Sequence, residues 1–256
     1  MTPPAVWVIV PTFDEADSIE PLLRAVAAAL DDAAPADHRI LVVDDGSPDG
    51  TGAIAERVGE QLGVVEVLHR ARKGGLGQAY LAGFARALAG GARLVCEIDA
   101  DLSHDPAYLP DLLAAAEHAD VVLGSRYVPG GGVTDWGPLR RFVSRAGCRY
   151  ARTLLGLPQR DLTGGYKAIR REVLEAIELE SVRSQGYVFQ VEITYRAVLA
   201  GFRVAEVPIV FRDRTAGSSK MSTRIALEAM WRVPLLRRNA PRAVSRAAAQ
   251  LDVTIV

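Results

Sequence analysis

The first half of the chain alternates short aliphatic runs with stretches of helical periodicity, and this alternation restricts the possible fold most strongly. Five runs have the length and composition of buried strands: 5–10, 40–43, 64–68, 94–98 and 121–123. Helical spacing fills the intervals, as in Ile19, Leu22 and Val26, which follow a predicted cap at Asp17 and Ser18. The alternation predicts an α/β fold with a Rossmann-like, mostly parallel sheet and helices on both faces.

Parallel sheets of this kind bind ligands beyond the carboxyl ends of their strands. Functional residues are therefore expected directly after the predicted strands, in five segments: 11–15, 44–51, 69–77, 99–105 and 124–132.

Composition excludes several classes of protein. With 256 residues, 49% hydrophobic and 24% charged, the chain is long and apolar enough for one large globular domain or two small ones. A net charge of −1 argues against nucleic-acid binding. Neither a run of about 18 apolar residues nor a signal-peptide pattern is visible, and Cys96 and Cys148 lack metal-ligand spacing. These features predict a cytoplasmic protein with two free thiols.

The pattern changes in the second half. Residues 139–157 contain five arginines and no acidic residue, interleaved with bulky apolar side chains, and 221–238 repeat this character around Trp231. A late strand is predicted over 204–211. We therefore expect a catalytic domain over 1–220, in which 138–157 form an amphipathic basic interface helix. The rest, 221–256, is expected to be a C-terminal interface helix with a frayed tail and no transmembrane segment.

Two aspartates follow the fourth predicted strand directly, as Asp99-Ala100-Asp101. Residues two apart in an extended chain point to the same side, so both carboxylates are expected to face one spot. Hard oxygen ligands at an exposed strand end suit Mg²⁺ or Mn²⁺. The alternative is that one aspartate caps the next helix while the other is solvated.

A second acidic strand end covers 44–51, where Asp, Gly and Pro are typical of turns. Turn chemistry explains the adjacent Asp44 and Asp45 poorly, because paired like charges need a ligand or a donor. Hydrogen bonds to a nucleobase or to ribose hydroxyls are the functional alternative.

The glycine-rich segment Gly74-Gly75-Leu76-Gly77 does not match a dinucleotide fingerprint, since Tyr80 stands at the third glycine position. It predicts a tight loop that lets backbone approach a ligand, with Lys73 near a phosphate.

Positive charge for a diphosphate is available at Arg126, Arg214 and Lys220. Lys73, Lys167 and Lys220 are the only lysines among 30 basic residues, and all three lie in glycine- or serine-rich segments. The segment 211–220 has the composition of a mobile cationic loop, and a solvated basic loop is the alternative.

Taken together, these segments resemble the polyprenyl-phosphate (dolichol-phosphate) mannose synthases of glycosyltransferase family 2. The matching segments occur in the family's order over about residues 5–235: 10–15, 43–51, 99–104, 124–127, 161–166, 186–190, and 213–214 through 219–220.

The resemblance implies a GT-A glycosyltransferase fold and inverting transfer of mannose from GDP-mannose to a polyprenyl monophosphate, with Mg²⁺ or Mn²⁺ as cofactor. The residues it implies for the nucleotide sugar are Pro11, Thr12, Phe13, Glu15, Val43, Asp44, Asp45, Ala100, Asp101, Arg214 and Lys220. It assigns the metal to Asp99 and Asp101, and the acceptor phosphate to Arg126, Arg140 and Ser144. The catalytic set is then Asp99, Asp101, Arg126, Arg214 and Lys220.

Two positions depart from the family pattern. Phe13-Asp14 stands where many relatives have Tyr-Asn, and Ser103 stands where some have a metal-binding Gln. Since the implied acceptor is already an anion, no strong general base is required, and His104 is interpreted as structural.

The implied partners are GDP-mannose, a polyprenyl phosphate and the cytoplasmic face of a membrane, where the protein would associate peripherally. A separate membrane-spanning protein is an open alternative, because some relatives carry appended transmembrane helices. The rival functions are transfer of glucose or another sugar to polyprenyl phosphate and, more remotely, a non-catalytic membrane-surface subunit.

Overall fold

A computed structural model describes residues 5–34, 38–213 and 231–238. Seven strands form the main sheet in the order β3-β2-β1-β4-β7-β5-β8, and two short strands, β6 and β9, pair separately. The strands are β1 (Val6–Thr12), β2 (His38–Asp44), β3 (Val65–His69), β4 (Leu94–Glu97), β5 (Val121–Ser125), β6 (Gly132–Val133), β7 (Lys167–Arg170), β8 (Val204–Pro208) and β9 (Val210–Phe211). The predicted mostly parallel α/β sheet is confirmed.

Helices cover both faces of the sheet. They are α1 (Ala16–Ala33), α2 (Thr51–Leu62), α3 (Leu76–Ala89), α4 (Leu109–Ala115), α5 (Pro138–Leu155), α6 (Arg171–Ala176) and α7 (Gly186–Leu199), and residues 231–238 are also helical. Alternate residues of β1 enter opposite cores. Val8 and Val10 pack with the helices α1, α2 and α4, while Trp7 and Ile9 pack with α3 and α7. Burial on both sides explains why the strand reads as a continuous apolar run.

Strand β7 departs from the predicted pattern. It runs antiparallel between β4 and β5, whereas the other neighbours in the main sheet are parallel. Its four residues, Lys-Ala-Ile-Arg, include two cations, so no apolar run marked it in the sequence.

Two local predictions were wrong. Helix α1 begins at Ala16 with Glu15 at the N-cap, and Ser18 lies inside the helix, where its hydroxyl donates to the Glu15 carbonyl. The predicted strand over 204–211 is divided, because β8 ends at Pro208 and β9 pairs instead with β6.

Helix α5 lies largely on the surface. Only Cys148, Ala151 and Leu155 are buried, whereas Leu139 and Phe142 are 75% and 70% exposed. Trp231, in the second apolar-basic stretch, is 78% exposed. Within the described ranges, the helices are too short or too polar for any of them to cross a bilayer.

Candidate active site at the carboxyl edge of the sheet

The loops that follow β1, β2, β4 and β5 meet at one edge of the sheet, as parallel strand order requires. The segment 161–166, which leads into β7, contacts two of these loops. A Cβ atom at Gly165 would lie 3.1 Å from Oδ1 of Asp99, and the Asp161 carboxylate accepts the backbone N–H of Arg126 at 3.0 Å. The antiparallel insertion of β7 therefore joins the loop after β4 to the loop after β5.

Part of the second acidic segment serves the start of helix α1. Ser47 Oγ accepts the Asp14 N–H at 3.2 Å, Thr51 Oγ1 accepts the Glu15 N–H at 3.0 Å, and Asp49 Oδ2 accepts the Ala16 N–H at 3.0 Å. Amides at and just before the start of a helix lack partners within the helix, so these contacts satisfy groups that would otherwise be left open. The turn interpretation therefore holds for residues 47–51.

Asp44 and Asp45 are buried, and each has its own protein donors. The Asp44 carboxylate accepts the Ser47 hydroxyl at 2.5 Å and the Thr12 hydroxyl at 3.4 Å. Asp45 pairs with the guanidinium of Arg70 and accepts two amide hydrogens of the glycine-rich loop. These donors explain how adjacent carboxylates are tolerated, and a nucleoside contact by either one stays a prediction.

The glycine-rich loop wraps around Arg70, which the sequence analysis did not identify. A Cβ atom at Gly74 would lie 2.5 Å from Nη2 of Arg70, so a larger residue there would displace the guanidinium. Lys73 Nζ lies 3.5 Å from the ring centroid of Phe13, a residue predicted to contact the nucleoside. Thus Lys73 stands at the predicted nucleoside site, close enough to Phe13 for a cation–π contact.

The remaining predicted donor-site residues lie on the same edge. Pro11 and Thr12 end β1 opposite Val43 and Asp44 in the parallel register. Arg214 and Lys220 lie outside the described residues, and the preceding segment ends at Asp213.

Asp99 and Asp101 lie in a loop, because β4 already ends at Glu97 and residues 100–101 form a turn. The extended-chain argument for their orientation was therefore wrong. Asp101 is buried and accepts the backbone N–H of Ser103 at 3.1 Å and its hydroxyl at 2.5 Å. The Asp99 side chain is 32% exposed, and its Oδ2 lies 3.5 Å from Nδ1 of His104.

The chemistry of this pair fits a divalent cation. Carboxylate oxygens suit Mg²⁺ and Mn²⁺, which keep other positions for water and phosphate oxygens. The helix-cap alternative is wrong, since Asp105 performs that role by accepting the Ala107 N–H at 3.0 Å. Among the described residues, no group of three or more acidic, histidine or cysteine side chains could hold a metal.

Beneath the aspartates lies a buried polar cluster that the sequence analysis did not predict. Glu97 of β4 and Lys167 of β7 are register partners, both fully buried. Lys167 Nζ donates to the Gln190 carbonyl at 2.7 Å. Burial raises the pKa of Glu97 and lowers that of Lys167, since both charged forms lose solvation. The retention of lysine in an arginine-rich chain was the one sequence signal for this site.

Arg126 forms a buried bidentate ion pair with Asp161. Its Nε and Nη2 donate to the two carboxylate oxygens at 2.6 and 2.7 Å, and Nη2 also reaches Thr163 Oγ1 at 2.9 Å. Burial alone would raise the pKa of Asp161, but the guanidinium of Arg126 outweighs burial and lowers it. Asp161 therefore largely neutralises the charge of Arg126.

The three predicted acceptor-phosphate residues are brought together around two aromatic rings. Arg140 lies 4.2 Å from the Trp136 centroid and donates to Asp213 Oδ2 at 2.7 Å. Ser144 Oγ lies 2.6 Å from the hydroxyl of Tyr127, whose ring also contacts the guanidinium of Arg126. Neither aromatic residue was singled out in the sequence.

Comparison with known proteins identifies the class to which this fold and site belong. A family model described as glycosyl transferase family 2 matches residues 7–178. The chain belongs to glycosyl transferase family 2, and it is a glycosyltransferase. The family resemblance seen in the motifs is thereby confirmed.

Two curated relatives are similar over most of their length. A polyprenol monophosphomannose synthase of Mycolicibacterium smegmatis is 50% identical over 229 residues, which cover 88% of this chain and 84% of that protein. An undecaprenyl-phosphate mannosyltransferase of Micrococcus luteus is 47% identical over 225 residues, which cover 88% of this chain and 90% of that protein.

Solved structures confirm the GT-A fold. Glucosyl-3-phosphoglycerate synthase from Mycobacterium tuberculosis, in complex with Mn²⁺, UDP-glucose and phosphoglyceric acid, superposes with a TM-score of 0.66. The match covers 93% of this chain and 81% of that one at 20% identity. A second structure of that enzyme, with Mg²⁺ and UDP, gives the same TM-score.

Proposed function

We propose that this protein transfers mannose from GDP-mannose to a polyprenyl monophosphate with inversion at the anomeric carbon. The observation that carries the proposal is the junction made by residues 161–166, where Gly165 packs on Asp99 and Asp161 pairs with Arg126. A carboxylate pair suited to a metal-bound diphosphate thus lies next to a cationic cluster suited to an acceptor phosphate. The mannosyl transfer named for both curated relatives supports the choice of sugar.

The donor half of the site would use the carboxyl ends of β1, β2 and β4. Asp99 and Asp101 would hold Mg²⁺ or Mn²⁺, which neutralises charge on a diphosphate leaving group. Phe13, whose ring contacts Lys73, offers a ring for the base, and the same glycine-rich loop region holds Arg70, which is paired with Asp45. Arginine pairs well with the O6 and N7 acceptors of guanine, which favours a guanine nucleotide.

The acceptor half would bind the phosphate of the lipid. Arg140 is better placed than Arg126 to contact it, because the ion pair of Arg140 with Asp213 is partly exposed whereas that of Arg126 with Asp161 is buried. Ser144 and Tyr127 add hydroxyl donors beside it. An acceptor phosphate oxygen forms the new bond to the anomeric carbon as the bond to the diphosphate oxygen breaks. GDP departs with that electron pair.

No proton has to be removed in this reaction, because the phosphate acceptor is ionised at neutral pH. His104 is unsuited to act as a base, since burial lowers its pKa to about 4. Catalysis would rest on alignment of the two substrates and on stabilisation of the leaving diphosphate. Arg214 and Lys220, which lie outside the described residues, remain the proposed side-chain cations for that diphosphate.

Helix α5 would hold the catalytic domain at a membrane surface. Its outer face carries Leu139, Phe142, Val143 and Tyr150, all exposed, the last three lying three, four and eleven positions after Leu139. Arg141, Arg145 and Arg149 form a basic row beside this face. An exposed apolar stripe flanked by arginines is typical of helices that lie in the headgroup region. This arrangement would bring the cluster around Arg140 to the acceptor.

Transfer assays with the purified full chain test the proposal. The protein is incubated with farnesyl phosphate, Mn²⁺ and equal amounts of GDP-mannose, UDP-glucose or UDP-mannose, and the lipid product is measured by mass spectrometry. We expect a mannosyl lipid phosphate from GDP-mannose alone, its anomeric configuration inverted, and no product with EDTA. Preferential use of UDP-glucose would establish the glucosyltransferase alternative. Absence of product with every donor, despite nucleotide binding, would favour a non-catalytic role.

A further inference from the structure

Two adjacent residues of the loop after β4 face the two predicted metal-binding aspartates. Ser103 donates its amide and its hydroxyl to Oδ1 of Asp101, at 3.1 and 2.5 Å. His104 turns its Nδ1 toward Oδ2 of Asp99, at 3.5 Å. Asp101 therefore has a local donor that fixes its carboxylate, and His104 stands in the corresponding position for Asp99.

The imidazole of His104 is held in place by packing. The side chain is 2% exposed, and its ring lies 5.2 Å from the Tyr166 centroid and 5.0 Å from the Phe211 centroid, edge to face with the latter. Phe211 is tied to the same loop, since Ser103 accepts the N–H of Arg212 at 3.1 Å. The ring cannot swing to solvent without disturbing this packing.

Nδ1 of His104 is buried and makes no hydrogen bond to any of the residues that the structure describes. Leaving a buried polar atom without a partner costs about 1–3 kcal/mol, so a folded protein is expected to use it. Asp99 Oδ2 is the acceptor it faces, a few tenths of an ångström beyond hydrogen-bond range. Gly165 limits the approach from the other side, where a Cβ atom would lie 3.1 Å from Asp99 Oδ1.

We propose that His104 is a positioning residue that donates its Nδ1 proton to Asp99 and fixes the orientation in which Asp99 receives a divalent cation. The inference rests on the metal use in the proposed function and adds a residue that acts through Asp99. Carboxylates that bind metals are commonly oriented by such partners, and loss of the partner typically weakens metal affinity by about 10–100-fold. Ser103 and His104 would then perform the same task for the two members of the pair.

A purely structural His104 would contribute through the shape of its ring, whereas a positioning His104 contributes through one N–H. His104→Phe keeps an aromatic ring between Tyr166 and Phe211 but removes the N–H. His104→Asn removes the ring but restores an N–H donor close to the position of Nδ1. The two variants therefore separate packing from hydrogen bonding.

The test measures Mn²⁺ affinity by electron paramagnetic resonance, with saturating GDP, and the Tm of the metal-free protein. We expect His104→Phe to bind Mn²⁺ about 10–100-fold more weakly with a nearly unchanged Tm. His104→Asn should keep affinity near that of the wild type although its Tm falls. His38→Asn is the matched control, because His38 is equally buried but bonds to the Ala34 carbonyl, away from the site. It should lower the Tm and leave Mn²⁺ affinity unchanged.

Wild-type affinity in His104→Phe would overturn the inference, as would equal losses in the Phe and Asn variants. Should His104→Phe fail to fold, His104→Leu replaces it, since leucine matches asparagine in shape and has no donor. Failure of the wild type to bind Mn²⁺ would refute the metal in the proposed function itself, a result distinct from failure of His104 alone.

Discussion

At the scale of single residues, the carboxylates of the site divide into two groups by their surroundings. Asp45 and Asp161 are buried and paired with arginines, so their charges serve the fold and orient Arg70 and Arg126. Asp99 is one-third exposed and Asp101 is held by Ser103, at the point where a ligand would enter. The same substitution of Asp by Asn should therefore have different consequences in the two groups.

Asp101→Asn and Asp99→Asn are expected to reduce transfer to less than a tenth of the wild-type rate, because a neutral amide is a poor ligand for Mg²⁺ or Mn²⁺. Neither should change the Tm by more than a few degrees. Asp161→Asn is the contrasting variant, since it leaves Arg126 buried without its counter-charge. It should lose about 3–5 kcal/mol of stability. Calorimetry measures the stability of each variant, and the transfer assay measures its activity. Activity of Asp101→Asn above a tenth of the wild-type rate would refute the metal assignment.

His69 offers a pH-dependent contribution to stability. Its Nε2 lies 2.8 Å from Glu56 Oε1 and its Nδ1 lies 3.6 Å from Asp44, so hydrogen bonding to Glu56 and the nearby carboxylate charges raise its pKa above 6.5. A raised pKa stabilises the fold below the unfolded value, and this stability is lost as the pH rises through the folded value. Because the side chain is 49% exposed, the contribution should be about 0.5 kcal/mol.

Urea unfolding at pH 6 and pH 8.5 measures this contribution. Glu56→Gln should reduce the difference between the two pH values, while Glu60→Gln, on the same helix, should leave it unchanged. An identical pH dependence in Glu56→Gln and wild type would contradict the role of the pair.

At the scale of secondary-structure elements, α5 combines three surfaces on one helix. Arg140, Ser144 and Cys148 face the protein, Leu139 and Phe142 face outward, and a row of arginines lies between them. The sequence predicted a basic amphipathic helix here, and its exposed apolar face fits the interface role. That role, like the division into 1–220 and 221–256, stays a prediction.

Phe142→Ser combined with Trp231→Ser is expected to reduce binding to anionic vesicles at low salt, since both side chains are largely exposed and offer apolar area to the interface. Arg141→Gln with Arg145→Gln should also weaken binding, because each arginine near an anionic surface contributes about 1 kcal/mol. Arg24→Gln with Arg57→Gln, on α1 and α2, removes the same charge and should have little effect. Co-sedimentation with liposomes measures all three. Equal recovery of every variant with the vesicles would indicate that α5 does not contact the membrane.

At the scale of the whole molecule, β7 joins the two halves of the sheet and carries Lys167 into the core opposite Glu97. An isolated buried charge is costly, but two opposite charges in register offset much of that cost. Their attraction favours one register between β4 and β7, since a one-residue slip would turn the two side chains to opposite faces of the sheet.

Lys167→Met should destabilise the protein by about 3–5 kcal/mol, because Glu97 would remain buried without its partner. Glu97→Gln together with Lys167→Met should recover most of that loss, since no charge is then buried. Chemical denaturation of both variants provides the measurement. A double variant as unstable as Lys167→Met alone would mean that the side-chain shapes, and not the charges, stabilise the join.

The sequence by itself determined the α/β class and the alternation of strands and helices in the first half of the chain, and it predicted the loops that carry function. These properties depend on the periodicity of near neighbours and on the rule that parallel strands present their carboxyl ends at one edge. The family resemblance likewise predicted metal ligands at Asp99 and Asp101 and acceptor-phosphate contacts at Arg140 and Ser144.

The tertiary structure alone decided which of these groups already have partners. Arg126 and Asp161 are 35 residues apart, and Gly77 reaches Gln185 across 108 residues. Tertiary packing also decides the antiparallel course of β7 and the pairing of Asp45 with Arg70. The contact of His104 with Asp99 depends on the turn after β4. Local periodicity carries no information about contacts between distant segments, because the energy that selects them arises only when the whole core is buried.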